Sequence, residues 1–96
     1  MESKHYVYML RCKDQSLYTG YTNDLKARLQ KHEAGKGAKY TRGRGPFILE
    51  VTKIYETKQE AMKEEYRIKQ MSRTQKEKWI AQEREGDRDH ESPKKL

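Results

Sequence analysis

Two short tyrosine-bearing runs, Tyr6-Val7-Tyr8-Met9-Leu10 and Leu17-Tyr18-Thr19-Gly20-Tyr21, leave little freedom in how this chain starts to fold. Both are rich in the aromatic and β-branched residues that suit a pleated backbone. The polar link Lys13-Asp14-Gln15 turns the chain between them. Residues His5 to Cys12 and Ser16 to Thr22 therefore read as a β-hairpin. Side chains alternate across a strand, so Tyr6, Tyr8 and Leu10 share one face while Val7 and Met9 share the other. Tyr18 and Gly20 share a face of the second strand. An even turn register puts Tyr8 and Tyr18 on the same side of the sheet, and a slip of one residue would part them.

Thr22 or Asn23 is suited to cap a helix whose first turn holds Asp24, an acid favoured at the positive end of the helix dipole. Leu25, Arg28, Leu29 and His32 follow the i, i+3, i+4, i+7 spacing of one helical face. The helix should end near Ala34-Gly35, where glycine suits a C-cap. Gly35 to Pro46 reads as a flexible basic loop carrying Lys36, Lys39, Tyr40, Arg42 and Arg44. A third strand is expected over Phe47 to Tyr55. Thr57 is placed to cap a helix from Lys58 to about Met71, containing Ala61, Met62, Glu65, Tyr66 and Ile68. A third helix around Thr74 to Gln82 is anchored by Trp79 and Ile80. The order β-β-α-β-α-α predicts an α+β fold, a small three-stranded antiparallel sheet flanked by helices.

The chain has 96 residues, enough for one small domain. Hydrophobic residues make up only 32% and charged residues 39%, so the seven tyrosines and one tryptophan must supply much of the core. The formal net charge is +7. The last fourteen residues hold five acids and four bases, which places the cationic excess in residues 1–82. These form the expected domain, and 83–96 reads as a charged tail without the apolar content needed to fold. A basic body of this size favours a polyanion, most commonly nucleic acid, as partner. The single cysteine, Cys12, excludes an internal disulfide and a cysteine-cluster zinc site. The sequence shows no secretory segment and no stretch long enough to cross a membrane, and a cytoplasmic protein is expected.

Several residues stand out chemically. Glu65 falls between Ala61 and Met62 on the apolar side of its helix, where a lone carboxylate is costly unless something pairs with it. It either reaches solvent, pairs with Arg28, or serves a site; Glu64 lies near the edge of the same arc. Arg28 keeps its charge and can hold two phosphate oxygens at once, and His32 lies one turn further on the same face. Tyr8 and Tyr18 are phenols that a nearby cation could activate. Gly20 allows backbone to approach closely, or marks a bulge. Tyr6, Tyr55 and Tyr66 read as packing residues, and His5 and Cys12 have no assignable role.

Taken together, Tyr6-Val7-Tyr8 and Tyr18-Thr19-Gly20 resemble the two signature strands of the GIY-YIG nuclease superfamily. The run from Tyr18 to Leu29 resembles that family's second strand leading into its arginine-bearing helix. Gly35 to Arg42 and Glu65-Tyr66-Arg67-Ile68-Lys69 resemble its small, stand-alone bacterial branch. The resemblance spans residues 5 to about 82. Tyr6 stands where the first signature usually has glycine, Thr19 where the second often has an aliphatic residue, and Tyr21 where some DNA-repair members carry lysine. The resemblance implies a divalent-metal-dependent endonuclease cutting nucleic acid, DNA foremost, with structure or a protein partner setting specificity. It implies Glu65 as ligand of Mg2+ or Mn2+, Arg28 and His32 at the phosphate, and Tyr8 and Tyr18 as the phenols, with Tyr18 as base. Lys36, Lys39, Tyr40, Arg42 and Arg44 would track the substrate backbone. The alternative is a nucleic-acid-binding module with weak or no catalysis. A further alternative is an interaction module recruiting a protein through the tail.

Overall fold

The computed structural model describes residues 4–86 and 94–95 of the chain. β1 (His5–Arg11) and β2 (Leu17–Thr22) form the expected hairpin. Its turn is closed by backbone bonds from Cys12 to Ser16 O and from Gln15 to Cys12 O, with Asp14 accepting from the Ser16 amide. Tyr8 lies opposite Gly20 and Leu10 opposite Tyr18. That register sets Tyr8 and Tyr18 as diagonal neighbours on one face.

α1 (Leu25–Glu33) follows. Its cap is Asp24, which accepts from the Ala27 amide, rather than Thr22 or Asn23. The Thr22 hydroxyl is taken one step earlier, accepting from the Asp24 amide. The helix closes as expected at Gly35, whose φ of 76° is the left-handed turn that glycine adopts freely. The Gly35 amide bonds His32 O and the Lys36 amide bonds Lys31 O, which satisfies the last carbonyls. The basic loop is not featureless, because Lys39–Thr41 forms a turn of 3-10 helix.

β3 (Ile48–Tyr55) pairs antiparallel with β1, with a register shift between Met9 and Leu10. α2 (Lys58–Lys69) starts at Thr57, whose hydroxyl accepts from the Glu60 amide, and it ends two residues earlier than expected. α3 (Arg73–Gly86) is longer than the sequence suggested. Ser72 and Gln75 cap its start reciprocally, each side chain accepting from the other's amide. The three-stranded antiparallel sheet with helices in the order β-β-α-β-α-α is as expected. A two-residue strand, β4 (Lys94–Lys95), is added beside Ile48 and Leu49, giving the order β2-β1-β3-β4. The rest of the expected unstructured tail, beyond Gly86, lies outside the described residues.

The pleat divides the core into two layers. Val7, Met9, Leu17 and Val51 pack with Ala61, Ile68, Trp79 and Ile80 of α2 and α3. Tyr8, Leu10, Cys12 and Phe47 form the other layer, joined by Leu25 and Leu29 of α1. Cys12 is thus a core residue, and His5 bonds and stacks with Tyr21. Tyr66 is a correction: it is 67% exposed and packs nothing away, since it lies well around α2 from Ala61 and Ile68.

Candidate active site

The layer under α1 gathers four chemically able side chains. β1 supplies Tyr8, β2 supplies Tyr18, and one face of α1 supplies Arg28 and His32. The Tyr8 hydroxyl lies 2.7 Å from His32 Nε2, and Arg28 Nε donates to the same hydroxyl at 3.3 Å. Tyr18 packs against the ring of Tyr8 at 6.2 Å and that of His32 at 5.2 Å between centroids.

Donor directions follow from the far end of this set. The Thr41 hydroxyl donates its one hydrogen to Ala38 O at 2.9 Å. It must therefore accept from His32 Nδ1, 2.8 Å away. In a neutral imidazole Nε2 is then an acceptor, and it receives the Tyr8 hydroxyl proton. The result is a one-way chain from Arg28 through Tyr8, His32 and Thr41 to a backbone carbonyl. Electrostatics agree with it. Burial, with a further contribution from the Arg28 charge, pushes His32 down to about 4 from its ordinary 6.5, so the ring is neutral at pH 7. Burial also raises the Tyr8 phenol above its usual range, against the opposing pull of the Arg28 hydrogen bond. Tyr8 therefore keeps its proton. Its bond to Arg28 in turn raises the guanidinium, which stays charged.

Glycines let these groups close up. A Cβ on Gly20 would sit 2.5 Å from the Tyr8 hydroxyl oxygen and 2.8 Å from Tyr18 Cε2. A Cβ on Gly37 would overlap the His32 ring. Gly20 is thus a close-approach glycine, and the bulge in the sheet lies elsewhere, against β3. Gly37 and Thr41 escaped the sequence reading. Both sit in a run of glycines and lysines with no periodic pattern, and only the folded loop brings them to His32.

Other expected site residues are distributed unevenly. His32 is buried with both ring nitrogens bonded, which leaves neither for a phosphate. Tyr40 stacks on Tyr18 at 6.0 Å, with the Arg44 guanidinium 4.7 Å from the Tyr40 ring centre. Arg44 is also ion-paired with Asp14. These two residues therefore brace the site. Lys36, Lys39 and Arg42 are exposed and form no ion pair among the described residues.

Glu65 makes no hydrogen bond or ion pair with Tyr8, Tyr18, Arg28 or His32; its partner is Lys69, at 3.5 Å. Glu64 marks the β3 flank of α2 through its bond from the Tyr55 hydroxyl and its pair with Arg67. Glu65 lies about 100° further around the helix. That turns it to the other flank, where α2 lies over β1 and β2. Its side chain is only 13% exposed.

The model of the GIY-YIG catalytic domain matches residues 4–78. A UPF0213 protein of Oceanobacillus iheyensis is 66% identical over 80 residues, covering 83% of this chain and 93% of that protein. The solution NMR structure of a UPF0213 protein from Bacillus halodurans is 56% identical, with a TM-score of 0.57, covering 81% of this chain and 83% of the other. That of a protein from E. faecalis is 43% identical, with a TM-score of 0.60, covering 85% and 90%.

Proposed function

The chain belongs to the GIY-YIG family, and we propose that it is a divalent-metal-dependent endonuclease that hydrolyses phosphodiesters of DNA, selecting sites by structure or through a protein partner, in the cytoplasm. A nuclease domain implies a nucleic-acid substrate. Among the described residues no helix is long and apolar enough to cross a membrane. The observation that carries the reading is the hydrogen-bonded chain that holds Arg28 and Tyr8 in fixed relation beneath Tyr18.

The donor set fits a magnesium-like ion. No group of three or more His, Cys, Asp or Glu that could cage a metal exists among the described residues. Mg2+ and its analogues need no such cage, since they keep several waters and bind through one or two carboxylates and the substrate phosphate. Glu65 is the residue that would hold the ion. When bound, the ion would neutralise phosphate charge and acidify a bound water.

The chain's own residues divide the remaining work. Arg28, fixed through Nε by Tyr8, keeps its other N–H groups for phosphate oxygens, whose negative charge grows in the transition state. Tyr8 is the orienting phenol, because burial keeps it protonated and His32 fixes where that proton points. Tyr18 is half-buried and nearer solvent, which suits it to meet a water. Once its own proton has passed to solvent, the phenolate would take the proton of that water. His32 acts through Tyr8 as a positioning residue. Lys36, Lys39 and Arg42 line the approach for the backbone.

With Mg2+ or Mn2+, the protein should nick DNA. Glu65→Ala should abolish nicking while oligonucleotide binding persists, and Arg28→Ala should slow it on the order of 100-fold. The binding-module reading draws on the lack of direct contact between Glu65 and the Arg28–Tyr8 chain. Under it, the wild-type protein cuts no substrate of a broad panel yet binds several.

A further inference from the structure

The outer surface of α2 is divided by charge. Stepping about 100° per residue from the buried Ala61, the flank beyond Glu65 carries Lys58, Lys69, Met62, Tyr66 and Lys63 in that angular order. The opposite flank carries Glu60, Glu64 and Arg67, and there Glu64 is tied to Tyr55 and Arg67. On the first flank Tyr66 is 67% exposed and Met62, one turn before it, is 39% exposed. Lys58 and Lys63 form no ion pair among the described residues, and Lys69 meets only Glu65.

One bare aromatic ring among three lysines is poorly suited to a protein partner. The apolar area is a single ring and a methionine, without the broad core that a protein interface needs. It is well suited to a strand of nucleic acid. A ring face stacks on any base, while cations on either side follow the phosphates. The ring follows Glu65 in sequence but lies about 100° further round the helix, past Lys58, Lys69 and Met62. We propose that Tyr66 stacks an unpaired base of the substrate strand, with Lys58, Lys63 and Lys69 on its phosphates, so that the protein engages nucleic acid with unstacked bases along the outer face of α2. This rests on the nuclease reading for the substrate, and on the lysine-flanked ring for the stacking itself.

The test is fluorescence anisotropy in EDTA, where nothing is cut, using a labelled 12-nucleotide single strand and a blunt duplex of the same sequence. Tyr66→Ala should weaken single-strand binding by roughly five- to 100-fold, the range of one lost base–aromatic stack. Tyr66→Phe should bind as the wild type does, and duplex binding should change little in either variant. Equal binding of the single strand by wild type and Tyr66→Ala overturns the proposal. So does an equal loss for single strand and duplex, which would mark a general electrostatic or folding effect. Circular dichroism of Tyr66→Ala separates those two causes. If binding depends on Tyr66 but magnesium or manganese never yields cleavage, the nuclease reading fails and the stacking stands. If wild type cleaves and Tyr66→Ala matches it in binding and cleavage, the stacking alone fails.

Discussion

Thr19 carries a hydroxyl that the fold does not use. Its Oγ1 is buried without a hydrogen-bond partner, opposite Met9 on the sheet face that packs under α2. Burying an unpaired hydroxyl costs about 1–3 kcal/mol. Valine has the same shape without the polar atom, so Thr19→Val should stabilise the protein by about 1–2 kcal/mol, read as a higher urea midpoint with unchanged slope. A lower midpoint would mean that the hydroxyl is paired after all. His32 carries the opposite kind of consequence. Its folded value of about 4 lies below the ordinary 6.5. The unfolded chain takes up a proton near 6.5, and the folded protein declines it until about 4. Stability should therefore fall as pH drops through that window, by on the order of 3 kcal/mol at most, and this source should contribute no slope above or below it. Urea midpoints across pH 4–7 measure the fall, and NMR of the imidazole nitrogens follows the residue itself. A His32 ring that titrates near its ordinary value in the folded protein would break the directed chain through Tyr8 and Thr41.

Among the elements, α3 depends on an ion network reached from across the sheet. Arg11 of β1 donates to Glu50 of β3 and, with both terminal nitrogens, to Glu77 of α3. Arg84 of α3 completes it at Glu50, and Arg73 at Glu77. Glu50 has a side chain only 4% exposed, and Arg11 one 15% exposed. Removing one partner of a buried pair leaves the other charge stranded, which costs roughly 3–5 kcal/mol. Arg11→Ala should fall in that range, whereas Arg84→Ala, at the more exposed end, should cost well under half as much. Thermal or urea unfolding of the two variants decides it; equal losses would show that Arg11 is not the hub. These same residues mark what the sequence could not show. The hairpin, the α1 face and the α1 C-terminus were legible because period-two alternation, i, i+4 spacing and glycine chemistry act over a few residues. Three capping residues in a row, Thr22, Asn23 and Asp24, left the N-cap open, and Asp24 takes it. Those rules and one register assumption put Tyr8 and Tyr18 on one sheet face and Arg28 and His32 on one helix face; the resemblance joined the four into one site. The Arg11 contacts span 39 and 66 residues, and Arg44 meets Asp14 across 30, so nothing local announces them. The exposure of Tyr66 was misread for a related reason. An aromatic near an apolar arc looks like core until the width of that arc is known, and here α2 is sealed by Ala61 and Ile68 alone.

For the whole molecule the governing quantity is charge and where it remains available. The net +7 sets a field that attracts polyanions without distinguishing one cation from another. The fold makes the distinction. Arg11 and Arg44 are engaged with carboxylates, whereas Lys36, Lys39 and Arg42 stand exposed on the loop that Thr41 and Tyr40 tie to His32 and Tyr18. Cations that contact phosphates release counterions on binding, each adding about 0.9 to the slope of log affinity against log salt for duplex DNA. Replacing Lys36, Lys39 and Arg42 together by alanine should lower that slope by roughly 2–3 and weaken binding more at low salt than at high salt. Arg44→Ala should leave the slope near its wild-type value, because that guanidinium is committed to Asp14 and the Tyr40 ring. It should instead slow cleavage by loosening the stack on Tyr18. Anisotropy titrations of a metal-free duplex over 50–300 mM salt separate the two kinds of residue. If Arg44→Ala lowers the slope as each loop lysine does, its contacts with Asp14 and Tyr40 give way to the substrate, and the brace on Tyr18 belongs only to the unbound protein.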